Sequence, residues 1–457
     1  MKIKISVCVW MVVMTGCLLI GATPSAAQES VREGTARTLS MDECIAIAME
    51  QNPDAIIGMK SVQSAKAGVL GAVSNFLPQL QASSSYSHSV QSYLDPLSGI
   101  TVDDVKVPER YLERTSDSYS ARLSLSQSIF RGGYNFSNLA YARAGHQAAR
   151  ESYTQTKQSL ALEVKVRYYD LLTAARLVQV AEELVHSSQE QVKLEENLFE
   201  IGATTEAYLL RAKVKLGEDR LGLITSRNNL SIARANLNDL LGWDLDAQVE
   251  LIDDLEIQRP LLELSSLTKR ALSEQPSVKI AEAQYRQARA SLGMAKSGRL
   301  PTLSASGSYS WYDSDLPEDA SDWKDHDSWS VGLSLSIPIF DGLSTKSNIR
   351  QAQLNTAIAE EHLKQARRQV ALAVKQAFLS VKEAEQRIEV TEESLALAEE
   401  ERRLAQERYR LGASFLLELI DSQVAYSTAQ TNYISALYDY KLALAQLEQA
   451  VGAPLML

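Results

Sequence analysis

Residue types able to do covalent or metal chemistry occur in this chain, but never in a working arrangement. The five histidines, His88, His146, His186, His326 and His362, are scattered, with no pair at the spacing of metal ligands. No glycine-rich loop ends in Lys-Ser or Lys-Thr to cradle a phosphate, and no elbow presents a nucleophilic serine. Carboxylate runs such as Glu399-Glu400-Glu401 sit in helical stretches and read as solvated surface. These patterns predict no enzyme, no cofactor and no bound metal. The balance of 46 basic against 57 acidic side chains, net charge -11, argues against nucleic acid as a partner.

The elements that carry the remaining residues begin with an export signal over residues 1–27. Lys2 and Lys4 supply a positive start, Ile5 to Ile20 are mostly apolar, and Ser25-Ala26-Ala27 is a small-residue cleavage site. Cys17 follows Met14-Thr15-Gly16, but Leu18-Leu19-Ile20 beyond it speaks against lipoprotein processing. After cleavage only Cys44 remains, which excludes an internal disulfide. No later stretch is long and apolar enough for a spanning helix, leaving a periplasmic, secreted or β-barrel protein.

The mature chain repeats itself. Asn52-Pro53, Leu77-Pro78 and Tyr86 recur 223 residues later as Gln275-Pro276, Leu300-Pro301 and Tyr309. Ile129-Phe130, Gly202-Ala203 and Gly242 recur 210 residues later as Ile339-Phe340, Gly412-Ala413 and Gly452. The change of offset places one insertion of 13 residues between Tyr86 and Ser118, expected as a variable loop in one of two similar units. The expected division is repeat 1 over 28–242, a connecting segment over 243–263 and repeat 2 over 264–457.

Within each repeat, two kinds of element are expected. No proline occurs between Pro108 and Pro260 or between Pro338 and Pro454. Those windows hold runs of good helix formers from about Tyr134 to Ile201 and from Leu343 to Leu411, each roughly 100 Å long as a helix. The turns at 202–204 and 412–414 then reverse the chain into a further helix of about 40 residues, making an antiparallel hairpin. Such rods need lateral partners for their apolar stripes, and no strict heptad repeat runs through them.

The other elements are strands, expected at about 79–90, 118–130, 302–312 and 328–340. They alternate serine with Leu, Val, Ile, Tyr or Trp, as in Ser328-Trp329-Ser330-Val331-Gly332-Leu333. One face is small, polar and uncharged, and the other is apolar with aromatics near its ends (Phe130, Phe340, Trp311, Trp329), like an outer-membrane barrel strand. A soluble hairpin packed on helices could share the alternation. Four strands are too few for a barrel, and an open edge is not tolerated in lipid, so membrane-spanning strands require several chains. The acid-rich loop from Tyr312 to Asp327 would lie outside the cell, either bridging divalent cations or simply solvated.

The order of strand hairpin, long helix, glycine turn and helix, given twice, resembles the TolC-type outer-membrane efflux and secretion channel family. The resemblance covers essentially the whole mature chain. It rests on the repeated Leu-Pro before a strand, the Ile-Phe-x-Gly junctions at Ile129 to Gly132 and Ile339 to Gly342, and the second tip, Tyr409-Arg410-Leu411-Gly412-Ala413-Ser414-Phe415-Leu416-Leu417-Glu418-Leu419-Ile420-Asp421. It implies an α+β membrane protein in which a homotrimer shares one 12-stranded β-barrel in outer-membrane lipid, continued by a periplasmic α-helical tube. It implies that the tips, Ile201, Gly202, Ala203, Leu411, Gly412 and Ala413, meet a periplasmic adaptor that links the duct to an inner-membrane pump. It also implies that Glu418 and Asp421, three apart and so on one helix face, form an acidic pore constriction. Where the family can carry an acid in the first tip, this chain has Tyr208, with Glu206 two residues earlier. Tyr208 and Tyr409 are the candidate gate neighbours, and the locking bonds between helices are left open. The expected function is thus a passive exit duct of an efflux or type I secretion assembly. A soluble periplasmic coiled-coil scaffold or adaptor is the alternative, and an adhesin-like surface protein a third reading. Cargo is not legible in the chain.

Overall fold

The computed structural model describes residues 37–95, 101–102, 105–106, 110–253, 259–315 and 326–455. The expected leader over 1–27, Cys17, and the central acids of the external loop (Glu318, Asp319, Asp322 and Asp325) lie outside the described residues. In chain order the elements are β1 (Arg37–Leu39), α1 (Met41–Gln51), α2 (Pro53–Ser74), β2 (Gln79–Leu94), β3 (Thr101–Val102), β4 (Val105–Lys106), β5 (Tyr111–Arg131), α3 (Tyr134–Glu200), α4 (Glu206–Leu241), β6 (Val249–Leu251), α5 (Leu264–Glu274), α6 (Pro276–Ser297), β7 (Thr302–Asp313), β8 (Asp327–Ser336), α7 (Ser344–Arg410) and α8 (Leu416–Val451).

The duplication is visible element by element. α3 and α7 each have 67 residues, α4 and α8 each 36, α2 and α6 each 22, and α1 and α5 each 11. In each repeat a short helix and the end of a long one meet at a junction built the same way twice. Asn52 Nδ2 donates to the Leu240 carbonyl at 3.4 Å, and Gln275 Nε2 donates to the Gln449 and Ala450 carbonyls at 3.0 and 3.3 Å. These amides sit at the N-caps of α2 and α6, just before Pro53 and Pro276, whose missing N–H costs nothing at a helix start. They satisfy carbonyls that the ends of α4 and α8 leave open.

Each repeat has its own core at this level. In the first, Cys44, Ala48, Leu160, Val164, Leu237 and Leu241 close around Tyr168; in the second, Val278, Val374, Val381, Ile388, Tyr440, Leu447 and Val451 do the same. Burial pushes the Cys44 thiol up to about 11, so it is an inert packing residue. The connecting segment ties the cores together. β6 pairs in parallel with β1, Tyr168 donates to the Leu39 and Ile252 carbonyls, and Asp253 accepts from Arg176 at 2.6 Å and from Tyr438 at 3.1 Å.

α3 packs on α4 and α8, and α8 packs on α7, so the helices run side by side as α4–α3–α8–α7. Both lateral margins stay apolar and uncovered. α4 exposes Leu210, Val214, Leu221 and Ile224, and α7 exposes Leu372, Leu379, Val390, Leu397 and Leu404. On α7 these recur at heptad spacing in two partial rows, Leu372 with Leu379 and Val390 with Leu397 and Leu404. The stripe escapes a search for one continuous heptad because Gln386 and Glu393 interrupt the first row.

The four long strands form one antiparallel sheet in the order β2-β5-β7-β8. Register puts Leu80, Ala82, Tyr86, Tyr119, Leu123, Leu125, Leu303, Tyr309, Trp329, Val331, Leu333 and Leu335 on one face, with a serine-rich face opposite. A bulge between Ser128 and Phe130 keeps Phe130 on the apolar side. Serine pairs bond across the polar face at matching places, Ser85 with Ser120 at 2.8 Å and Ser308 with Ser330 at 3.0 Å. Among the described residues β2 and β8 leave their outer edges unpaired, and every residue of both is exposed.

Two strand boundaries differ from expectation. The 13-residue insertion is largely ladder, since β2 and β5 stay paired out to Leu94 with Tyr111, whereas β7 and β8 end at Trp311 with Asp327. Serine alternation continues into it, and His88 pairs with Asp117 at 2.7 Å across the strands. β8 ends at Ser336 and not near 340, because Pro338 has no N–H to donate to a ladder.

The strand-to-helix junctions need two consecutive left-handed residues. Gly132 and Gly133 supply them in repeat 1, Gly342 and Leu343 in repeat 2, with Leu343 at φ 69. A Cβ on Gly132 would stand 2.6 Å from the Ser297 carbonyl oxygen. Gly132→Ala should therefore cost about 2–4 kcal/mol from clash and conformation together, while Leu343→Gly should gain ~1 kcal/mol. Thermal unfolding of the purified protein reads opposite shifts for the two variants.

Candidate functional site

The two hairpin ends are the same turn made twice. At the first, Gly202 N–H donates to Phe199 O at 2.9 Å and Ala203 N–H to Leu198 O at 2.8 Å; at the second, Gly412 donates to Tyr409 O at 3.0 Å and Ala413 to Arg408 O at 2.9 Å. This paired closure requires a left-handed residue, and both glycines sit at φ +70. A Cβ at either would meet nothing within 4 Å, so backbone conformation and not space selects glycine. The turns present apolar groups to solvent: Ile201 is 76% exposed, Leu411 81% and Phe415 72%. The six tip residues expected from the chain are thus together at one end of the molecule, in two neighbouring knuckles.

The knuckles differ in their charges. Glu418 accepts from Ser414 Oγ at 2.6 Å and from Arg408 Nη1 at 3.1 Å. The Ser414 hydroxyl, then Arg408, hold its carboxyl below the ordinary value of 4.5. That contact supports the second turn at any pH above 4.5 and is lost only as pH falls through the lowered value. Asp421 lies one turn further along, exposed and with no ion pair among the described residues. In the first knuckle Tyr208 and Arg211 stand at the matching positions, so the acidic pair belongs to the second repeat alone.

An acid that sequence reasoning passed over joins the two hairpins. Glu195 on α3 is fully buried. Its carboxylate accepts a hydrogen bond from the Tyr409 hydroxyl of α7, one from Gln191 Nε2 at 2.7 Å and one from Thr204 Oγ1 at 3.3 Å. Burial, then the bond to Glu195, push the Tyr409 phenol well above its ordinary value of 10. It remains a donor through neutral pH, and its contribution is lost only as pH rises beyond that ordinary value. Tyr208 is half-buried close by and adds to the same shift. Tyr409 of α7 thus carries a contact between the two hairpins at this level. The sequence carried one hint, that Ala405 stands where Glu195 does in the other repeat, while the burial of both positions comes from the fold. A second buried acid, Asp219 of α4, is held by Lys215 at 2.7 Å and by Ser188 of α3.

Among the described residues no group of three or more His, Cys, Asp or Glu is placed to hold a metal ion, and no helix is long and apolar enough to cross a membrane. The extended apolar surface lies on the sheet. Its apolar side runs from the level of Leu80, Leu303 and Leu335 to the aromatic row Tyr86, Tyr119, Tyr309 and Trp329, roughly 20 Å of strand.

Comparison with known proteins agrees with this geometry. The family model described as outer membrane efflux protein matches residues 45–243 and again 267–453. Outer membrane protein TolC of Escherichia coli is 25% identical over 391 residues, covering 83% of this chain and 76% of the relative. The alkaline protease secretion protein AprF of Pseudomonas aeruginosa is 26% identical over 352 residues, covering 74% and 71%. Among solved structures, the Campylobacter jejuni CmeC outer membrane channel superposes with a TM-score of 0.77 at 18% identity, covering 93% of this chain and 90% of that one.

The Glu195–Tyr409 link yields a direct test. Tyr409→Phe should leave a buried carboxylate short of one donor and weaken tip packing by ~1–2 kcal/mol. Amide hydrogen exchange across residues 405–413 should then accelerate about tenfold, with the core around Val374 unchanged.

Proposed function

This chain belongs to the outer membrane efflux protein family, and on that premise we propose that it acts as a trimeric exit duct, opened by a periplasmic adaptor at its tips. The protein is an outer-membrane channel component of an efflux or type I secretion route. One observation carries the reading: a four-stranded sheet with one apolar face and two open edges is mounted on helical hairpins about 100 Å long. In lipid each open edge must be paired, so β8 of one chain meets β2 of the next. The same rotation brings the apolar margin of α4 against that of α7, a heterologous contact that closes as a ring. Three chains give twelve strands.

In this duct the chain performs no catalysis. An inner-membrane pump supplies energy, and the barrel and tube provide a water-filled path. Ile201, Gly202, Ala203, Leu411, Gly412 and Ala413 present exposed small and apolar groups for the adaptor's hairpins. Asp421 and Glu418 gather six carboxylates around the threefold axis, an arrangement that favours cations. Arg408 neutralises part of that charge, leaving Asp421 the stronger contributor. Glu195 with Tyr409 holds the two hairpins of each chain together at the constriction, so opening has to break or stretch that link. The soluble scaffold alternative has no support: it offers no cover for the apolar sheet face and no partner for the open edges.

Two measurements test the reading. Photo-crosslinking in cells from Ala203 and Ala413 should capture a periplasmic adaptor, and efficient probe incorporation without such capture would count against the export assembly. In planar bilayers, replacing Glu418 and Asp421 by their amides should bring the cation preference of the closed channel down toward unity, with the Asp421→Asn single variant giving most of the change.

A further inference from the structure

Charges in the four long strands are segregated by face. On the serine face the charged residues are Arg114, Arg122 and Arg131, all on β5; Glu113, Asp117, Asp313 and Asp327 alternate onto the other face. Arg131 lies over the Tyr134 ring at 4.5 Å, at the helix end of the sheet. Arg122 is paired in register with Ser83 and Ser310, inside the depth bounded by the outward aromatic row. Arg114 is opposite Gln91, beyond that row. Arg114 and Arg122 are exposed and make no ion pair among the described residues. The second repeat has no counterpart: Gly332 stands where Arg122 does in the first, and a Cβ there would meet only Ser306 Oγ at 3.8 Å.

We propose that Arg122, framed by Arg131 below and Arg114 above, forms a basic ring inside the barrel that binds multivalent anions, giving the outer part of the duct a charge preference opposite to that of its tips. The inference rests on the trimeric barrel reading. Three copies would place three guanidinium groups at one level of a lumen lined at that depth by uncharged hydroxyls, with no carboxylate of the four long strands on that face to neutralise them. Twelve strands at the usual spacing and tilt enclose a backbone radius of roughly 12 Å. An arginine side chain spans about half of that, so a solute on the axis lies within about a Debye length of all three charges. Rings of arginine are the arrangement by which pores hold anions and phosphates, and the guanidinium fork suits oxyanions in particular. The barrel would thus slow multivalent oxyanions while passing small cations received from the acidic constriction.

The test uses the full-length protein in planar bilayers, with inorganic tripolyphosphate added to one side and then to the other. Tripolyphosphate should block from the barrel side, at a concentration about tenfold lower for the wild type than for Arg122→Ser. Arg122→Lys should retain most of the block, and Gly332→Arg, which doubles the ring, should deepen it. Equal block of the wild type, Arg122→Ser and Gly332→Arg would overturn the basic ring while leaving the channel reading intact. If Arg122→Ser does not assemble, Gly332→Arg against the wild type decides in the same way. A wild-type protein that forms no pore at all would overturn the trimeric duct and the ring with it.

Discussion

Along the outer edges of β2 and β8 run rows of backbone N–H and C=O groups with no ladder partner among the described residues, on a sheet whose apolar face excludes water as a substitute. Each unsatisfied group in hydrocarbon costs several kcal/mol, far more than any side-chain contact at the tips contributes. Closure between chains is thus the dominant constraint, and the helices are arranged to be compatible with it. Their side-by-side order leaves one apolar margin on α4 and another on α7, so in the proposed trimer the rotation that closes the sheet would also close the tube.

Duplication supplies the frame, and departures from it supply the chemistry. Paired helices have equal lengths, the glycine turns close through the same two hydrogen bonds, and the amide of Asn52 or Gln275 stitches each helix junction. Against that regular background four exchanges stand out: Glu195 against Ala405, Tyr208 against Glu418, Arg211 against Asp421, and Arg122 against Gly332. Each puts a charge in one repeat where the other has none or a different one. A ring of alternating units can hold the buried link, and would hold the proposed acidic and basic collars, without altering the backbone that carries them.

Much of this architecture was legible in the chain because the signals are local. Helices free of proline, glycine turns at 202 and 412, and serine alternation along the strands depend on residues close in sequence. Misreadings arose where a long-range partner decides. The insertion after Tyr86 reads as a loop by itself, and becomes ladder because β5 continues to pair with it as far as Tyr111. The stretch from Ile337 to Phe340 alternates like a strand but cannot remain in the sheet past Pro338.

The sequence alone determined the two-fold internal repeat, the helical hairpins, the faces of the strands and the tip turns, since periodicity and turn chemistry act over a few residues. Only the tertiary structure decided that Glu195 is buried under Tyr409, that Glu418 is neutralised in part by Arg408, and that the bulge before Phe130 brings Arg131 onto the wall that Arg122 occupies. A helical glutamate looks the same in sequence whether it faces water or a neighbouring helix. The difference lies in which helix packs against it, and α3 meets α7 at that point only because both hairpins fold back to the same end of the molecule.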